Sequence, residues 1–243
     1  MSIHAWKVVV TVFVAIPIAA FAVPAQSYQE VAVANGGTIQ GKVVYQGFVP
    51  TRKIIPTKDS EVCGDIRDEP EIVVGPDKGV HGAVVYLKKV AKGKAWAKPA
   101  ASKTPELENR KCRFVPHVQV VRRGSSVVIV NSDPVLHNTH GFYGRRTAFN
   151  LALPNQDQRI TVELRRPGIV RVECDAHGWM QGWIYVADSP YYAITAEDGT
   201  FTITDIPPGN YTLVGWQAHT GAVETSVTVE AEKAVDGSIE LKK

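Results

Sequence analysis

Apolar and polar residues alternate with a period of two along most of this chain. Arg159-Ile160-Thr161-Val162-Glu163-Leu164 alternates and stops at Arg165-Arg166-Pro167-Gly168. Ile169-Val170-Arg171-Val172-Glu173-Cys174 resumes the pattern, and Thr200–Thr204 and Ser226–Val229 repeat it. Residues two apart share one face of a strand, so each run predicts a strand with one buried side. Many short strands parted by Gly and Pro turns predict an all-β sandwich or barrel, and almost no helical period competes with them. Three stretches break the pattern. Ser27–Gly37 reads as a polar leader, and the Lys-, Ala- and Pro-rich stretch Lys88–Lys111 reads as a solvated connection. Residues 46–80 hold two strand-sized pieces, Lys53-Ile54-Ile55 and Glu71-Ile72-Val73-Val74, which the pattern does not place.

Composition narrows the class. The 243 residues are 44% hydrophobic and 21% charged, with a net charge of +3. That suffices for ordinary cores in one large domain or two small ones. No basic stripe interleaved with aromatics marks a nucleic-acid partner. Val8–Val23 is apolar apart from Thr11 and Pro17, follows His4 and Lys7, and ends near Ala20-Phe21-Ala22 and Val23-Pro24-Ala25. This predicts a cleaved signal peptide over residues 1–25, with a retained membrane anchor as the alternative; a span needs about 20 apolar residues. The mature chain is then expected off the membrane, in the periplasm or another extracytoplasmic compartment, where disulfides persist. Of the three cysteines, Cys174 has His177 and Met180 beside it, so Cys63 and Cys112 are expected to pair. Closing that loop is worth about 4 kcal/mol in the chain-entropy account.

The candidate chemistry lies at Cys174-Asp175-Ala176-His177-Gly178-Trp179-Met180. Period two puts Val170, Val172 and Cys174 on one face, so the thiol enters the core at the strand's end. His177 and Met180 follow in a loop that closes at Gly182 and Trp183-Ile184-Tyr185-Val186. Thiolate, imidazole and thioether together suit copper, whereas a thioether serves zinc poorly. A second imidazole is needed, and Asn131-Ser132-Asp133-Pro134-Val135-Leu136-His137-Asn138-Thr139-His140 offers two. Residues three apart on a strand face opposite sides, so His137 is preferred and His140 is kept as the alternative ligand. His117 is read as a surface residue that could lie near the site, and His81 and His219 as ordinary histidines.

With these motifs, residues 112–188 resemble a cupredoxin, a Greek-key β-sandwich, and the ligand loop is most similar to that of amicyanins and plastocyanins. The shared features are an Asn-led turn carrying His137-Asn138 and the spacing Cys174-x-x-His177-x-x-Met180. The resemblance implies one mononuclear type 1 copper held by His137, Cys174, His177 and Met180, with Asn138 pinning the two ligand loops together. It implies an exposed His177 edge, with Trp179 and Trp183 shaping a contact patch. Gly178 and Trp179 replace the Pro of amicyanin-like loops, and Leu136 replaces the Pro before the first His. A second resemblance lies at Asp198-Gly199-Thr200-Phe201-Thr202-Ile203-Thr204-Asp205-Ile206-Pro207-Pro208-Gly209-Asn210-Tyr211, which is similar to a small carboxypeptidase regulatory-like (transthyretin-like) β-sandwich. Gly41-Lys42-Val43 and Gly82-Ala83-Val84-Val85 resemble its opening strands. The expected organisation is a regulatory-like sandwich from residues 38–90 and 191–243 with a cupredoxin domain, 110–188, inserted; domains in series are the alternative. The expected function is one-electron transfer without catalysis, with a c-type cytochrome or periplasmic dehydrogenase as partner. A copper carrier and an open, catalytic copper site are the alternatives.

Overall fold

The computed structural model describes residues 28–97 and 104–243, so the signal segment 1–25 lies outside the described residues. The alternating runs form strands, and the protein is all-β, with two sandwiches. In the first, one sheet orders its strands Tyr192–Ile194, Val84–Leu87, Gly209–Gln217, Gly221–Val229. The facing sheet orders Thr200–Ile206, Gly37–Tyr45, Ala234–Asp236, and Ile239–Leu241 also pairs with Gly37–Tyr45. Both ends of the described chain therefore supply it: Phe201 pairs with Gly41, and Trp216 pairs with Val84. Ile39, Val43, Val85, Leu87, Phe201, Ile203 and Leu213 fill its core. Asp198 begins the turn into Thr200–Ile206, with its carboxylate accepting the Thr200 N–H at 3.0 Å, and Gly199 takes the left-handed φ of 84° that an Asp-Gly turn requires.

The second sandwich is continuous in sequence. A five-stranded sheet orders Arg146–Leu153, His137–Tyr143, Gly168–Glu173, Gln181–Ala187, Val118–Arg122. A four-stranded sheet orders Arg159–Glu163, Ser126–Asn131, Glu106–Asn109, Phe114–Val115. Val127, Ile129, Leu107, Leu153, Val170, Val172 and Ile184 pack between them with Cys174 and Met180.

Two stretches differ from the sequence reading. The connection read over Lys88–Lys111 contains a strand, Glu106–Asn109, that lies inside the four-stranded sheet, parallel to Ser126–Asn131. Leu107 and Asn109 are fully buried there; the inward face holds a single apolar residue, between two glutamates, which composition hides. The unplaced stretch 46–80 contains a hairpin, Thr51–Ile54 with Arg67–Pro70, joined through the one-turn helix Ser60–Cys63. The polar leader also pairs: Gln29–Glu30 runs parallel to Lys92–Gly93.

The sandwiches touch through a third apolar layer. Tyr185 and Ala187 on the outer face of the five-stranded sheet meet Val84 and Trp216 of the other. Tyr86 stacks on Tyr185 with ring centroids 4.4 Å apart, and Trp183 meets Trp216 edge-on at 5.1 Å.

Candidate metal centre

Period two now has a chemical consequence. Gly168–Glu173 delivers Cys174 at its end, 1% exposed, and His137–Tyr143 delivers His137 at its start, fully buried. His137 and Thr139 face inward, while His140 lies on the other face. The loop after Cys174 turns back at once, with the Met180 N–H bonded to the His177 carbonyl at 2.9 Å. This turn brings His177 inward, fully buried, and places Met180 in the same core as Cys174. A Cβ at Gly178 would meet nothing within 4 Å, so no steric demand selects glycine there.

Three donor atoms converge. Cys174 Sγ lies 3.9 Å from His137 Nδ1 and 3.7 Å from His177 Nδ1, and the two Nδ1 atoms are 3.1 Å apart. Each ring is fixed from behind by a carboxylate: Asp133 Oδ2 lies 2.9 Å from His137 Nε2, and Asp59 Oδ2 lies 2.9 Å from His177 Nε2. A carboxylate accepts only, so both Nε2 atoms carry hydrogen, and each Nδ1 is the ring nitrogen turned toward Cys174 and able to offer a lone pair to a cation. Two lone pairs and a thiolate at this separation repel unless a cation or proton sits among them. Carboxylates behind imidazoles are a way in which proteins orient histidines that could hold a metal ion. The donor set, with thioether-bearing Met180 beside it, fits a soft ion.

Asp133 was not among the residues singled out in the sequence. It also accepts the backbone N–H groups of Lys111 at 2.7 Å and Cys112 at 2.9 Å. Burial pushes its carboxyl up, but the His137 bond and these two N–H donors outweigh that and hold it below the ordinary value. Burial lowers the affinity of His137 for a proton, yet Asp133 and the Cys174 thiolate reverse the balance and raise it. Burial alone would raise the Cys174 thiol, but His137 and the N–H of Asn138, 3.3 Å away, bring it below its usual range. His177 stays low, chiefly through burial, with the His137 charge adding to it. Asn138 links the loops a second time by accepting the Asp175 N–H at 3.3 Å.

The remaining candidates fall outside the triangle. His140 bonds Asp175 at 3.1 Å and Thr147 at 3.0 Å. His219 bonds Glu71 at 2.8 Å, and His117 is exposed at a cavity of about 640 Å³ beside Met180 and Trp179. Cys63 and Cys112 form a disulfide, and Cys174 is a free, buried cysteine.

The expectation of an exposed His177 edge is corrected. The hairpin and one-turn helix of residues 51–70 cover it, with Asp59 on His177 and Arg52 Nη2 donating to the Trp179 carbonyl at 3.0 Å. Trp183 does not shape a surface patch either, because it packs on Trp216 between the sandwiches. Cover from 118 residues away in sequence could not be seen in the ligand loop.

Comparison with known proteins gives the chain a second context. Residues 170–236 match the family model of polysaccharide lyase family 4, domain II. Probable rhamnogalacturonate lyase A of Aspergillus flavus is 39% identical over 66 residues, covering 26% of this chain and 12% of that protein. Rhamnogalacturonate lyase A of Emericella nidulans is 38% identical over 65 residues, again 12% of its length. The chain thus matches only about an eighth of these relatives. Among solved structures, amicyanin from Paracoccus versutus is 17% identical, with 42% of this chain and 97% of amicyanin covered and a TM-score of 0.33. A purple cupredoxin from Nitrosopumilus maritimus is 21% identical, with 34% and 99% covered and a TM-score of 0.31. The sequence relatives are named as lyases, which are enzymes. The expectation of a blue-copper one-electron carrier without catalysis is corrected on that ground. Among the described residues no helix is long and apolar enough to cross a membrane.

Proposed function

We propose that the chain is an extracytoplasmic, carbohydrate-active protein whose central sandwich holds one copper ion between His137, Cys174, His177 and Met180. The observation that carries this reading is the extent of the lyase-matching stretch. Residues 170–236 include three of the four donors and continue through five strands of the other sandwich, Tyr192–Ile194 to Ala234–Asp236. The domain layout belongs to the proposal: residues 110–188 form a unit inserted between 38–90 and 191–243, supported by the pairing of Gly37–Tyr45 with Thr200–Ile206. The Cys63–Cys112 disulfide supports an oxidising compartment.

Copper, when bound, supplies a soft, redox-active cation. The chain's own residues orient both imidazoles, exclude water from the thiolate and fix the ligand loop beneath the hairpin. The saccharide is placed in the cavity next to Met180, where Arg52, Arg113, His117 and Trp179 offer charged, hydrogen-bonding and aromatic walls. Rhamnogalacturonate, the polysaccharide in the relatives' names, is the first substrate to try. Full-length protein loaded with copper should bind one equivalent and be retarded in gels containing that polysaccharide, or shorten it. Cys174→Ser should lose the copper. Failure of the wild type to retain copper overturns the metal assignment, and absence of both retardation and shortening overturns the carbohydrate assignment.

A further inference from the structure

The disulfide does not lie apart from the metal centre. One ligand atom each from Cys63, Cys112 and His177 falls within 4.8 Å of the others, and all three residues are buried. Cys112, Asp133 and His137 form a second such group with the same limit. Asp133 joins the two clusters physically, because one carboxylate holds the Cys112 N–H and the His137 ring. The sulfurs therefore sit against both histidines of the triangle. They arrive from separate elements, the end of the helix Ser60–Cys63 and the turn Lys111–Cys112.

We propose that the Cys63–Cys112 disulfide masks a second soft-metal site, made of Cys63, Cys112 and His177, which reduction opens. The proposal shares His177 with the copper reading above, but its two sulfurs are independent of that reading. In the redox step a dithiol reductant gives two electrons and two protons to the disulfide. The S–S bond breaks, two protein thiols form, and the reductant closes to its own disulfide. Each thiol then releases its proton as it binds the ion as thiolate, and His177 gives up to solvent the Nε2 proton it now donates to Asp59, so that its second ring nitrogen can join the new ion. Two thiolates and an imidazole suit a soft monovalent or d¹⁰ ion, and Cu(I) is the probe of choice.

The backbone allows the opening. The Cα atoms are 4.9 Å apart, so the thiolates can separate to flank an ion with a small shift. Cys112 is pinned by Asp133, whereas Cys63 precedes Gly64, at φ 79°, where a Cβ would meet nothing within 4 Å.

Anaerobic Cu(I) titration against a chromophoric Cu(I) chelator tests the idea, on protein before and after treatment with a dithiol that is then removed. Near-ultraviolet circular dichroism confirms that the reduced protein stays folded. Reduction should add one tightly held equivalent. Reduced Cys174→Ser should keep that equivalent, and X-ray absorption of its copper should show sulfur ligands. Reduced Cys63→Ser and Cys112→Ser, each tested singly, should lose it while retaining the equivalent held by Cys174. Unchanged stoichiometry on reduction overturns the proposal, as does an added equivalent that survives in both serine variants. Oxidised protein that binds no copper, with reduced protein binding one equivalent dependent on Cys63 and Cys112, refutes the neighbouring copper reading and leaves this one standing.

Discussion

At the scale of single residues, the site depends on two carboxylates as much as on its donors. Asp133 and Asp59 each fix one histidine with its Nδ1 turned inward. Removing such an outer partner commonly costs 10- to 100-fold in metal affinity. Asp133→Asn should therefore weaken copper binding about 10- to 100-fold, measured by chelator competition, while His140→Ala should leave it unchanged. Asp133 was in plain view at four residues before His137, yet nothing in its neighbourhood separates a ring-orienting aspartate from a turn residue. Asp59 is harder still. It sits in a left-handed turn at φ 53° beside a four-residue helix, and no local pattern ties it to His177. The inward course of Cys174 was legible because a strand's period sets it; Asp133 and Asp59 were not, because tertiary packing brings them in.

At the scale of elements, the covering hairpin is held by a charged clamp. Glu69 on the strand Arg67–Pro70 receives Arg67 at 2.7 Å and Arg113, from the central sandwich, at 2.7 Å. Burial pushes the Glu69 carboxyl up, but the two guanidiniums outweigh it and hold it below the ordinary value. A depressed carboxyl contributes stability above its unfolded pKa of about 4.3, and that contribution is lost as pH falls through the lower folded value. Glu69→Gln should cost about 0.5–1 kcal/mol at neutral pH for a partly exposed pair. In urea unfolding, the gap between wild type and variant should close below the carboxylate range. The strands that alternate in sequence were readable, and those of this hairpin were not. Thr51–Ile54 carries one buried apolar residue, Ile54, and Arg67–Pro70 carries none. Glu106–Asn109 escaped for the same reason.

At the scale of the molecule, two sandwiches share an aromatic layer, so their stabilities are coupled. The stacked pair Tyr86–Tyr185 crosses the boundary. A double-mutant cycle with Tyr86→Leu and Tyr185→Leu should give a coupling of about 0.5–1.5 kcal/mol, as for other aromatic pairs. Calorimetry of the wild type should show one transition; two separated transitions would mean that the layer transmits nothing. The all-β class followed from periodicity alone. The function did not, because seven residues of ligand loop spoke for the whole chain. The residues that cover the loop, and the lyase-matching stretch that begins in its strand and runs on through the neighbouring sandwich, carry the correction.

The roof over His177 would also set how the proposed ion comes and goes. Thr51–Pro70 is fastened by the disulfide at one point, by the Asp59–His177 bond at another and by the Glu69 clamp at a third. While these hold, Cys174, His137 and His177 are buried, so a chelator in solution should not reach them. Release then follows opening of the roof, and its rate reaches a ceiling as chelator concentration rises. Glu69→Gln should lift that ceiling in stopped-flow removal of the metal; a rate that climbs in proportion to chelator without limit would show that the ion leaves by another door.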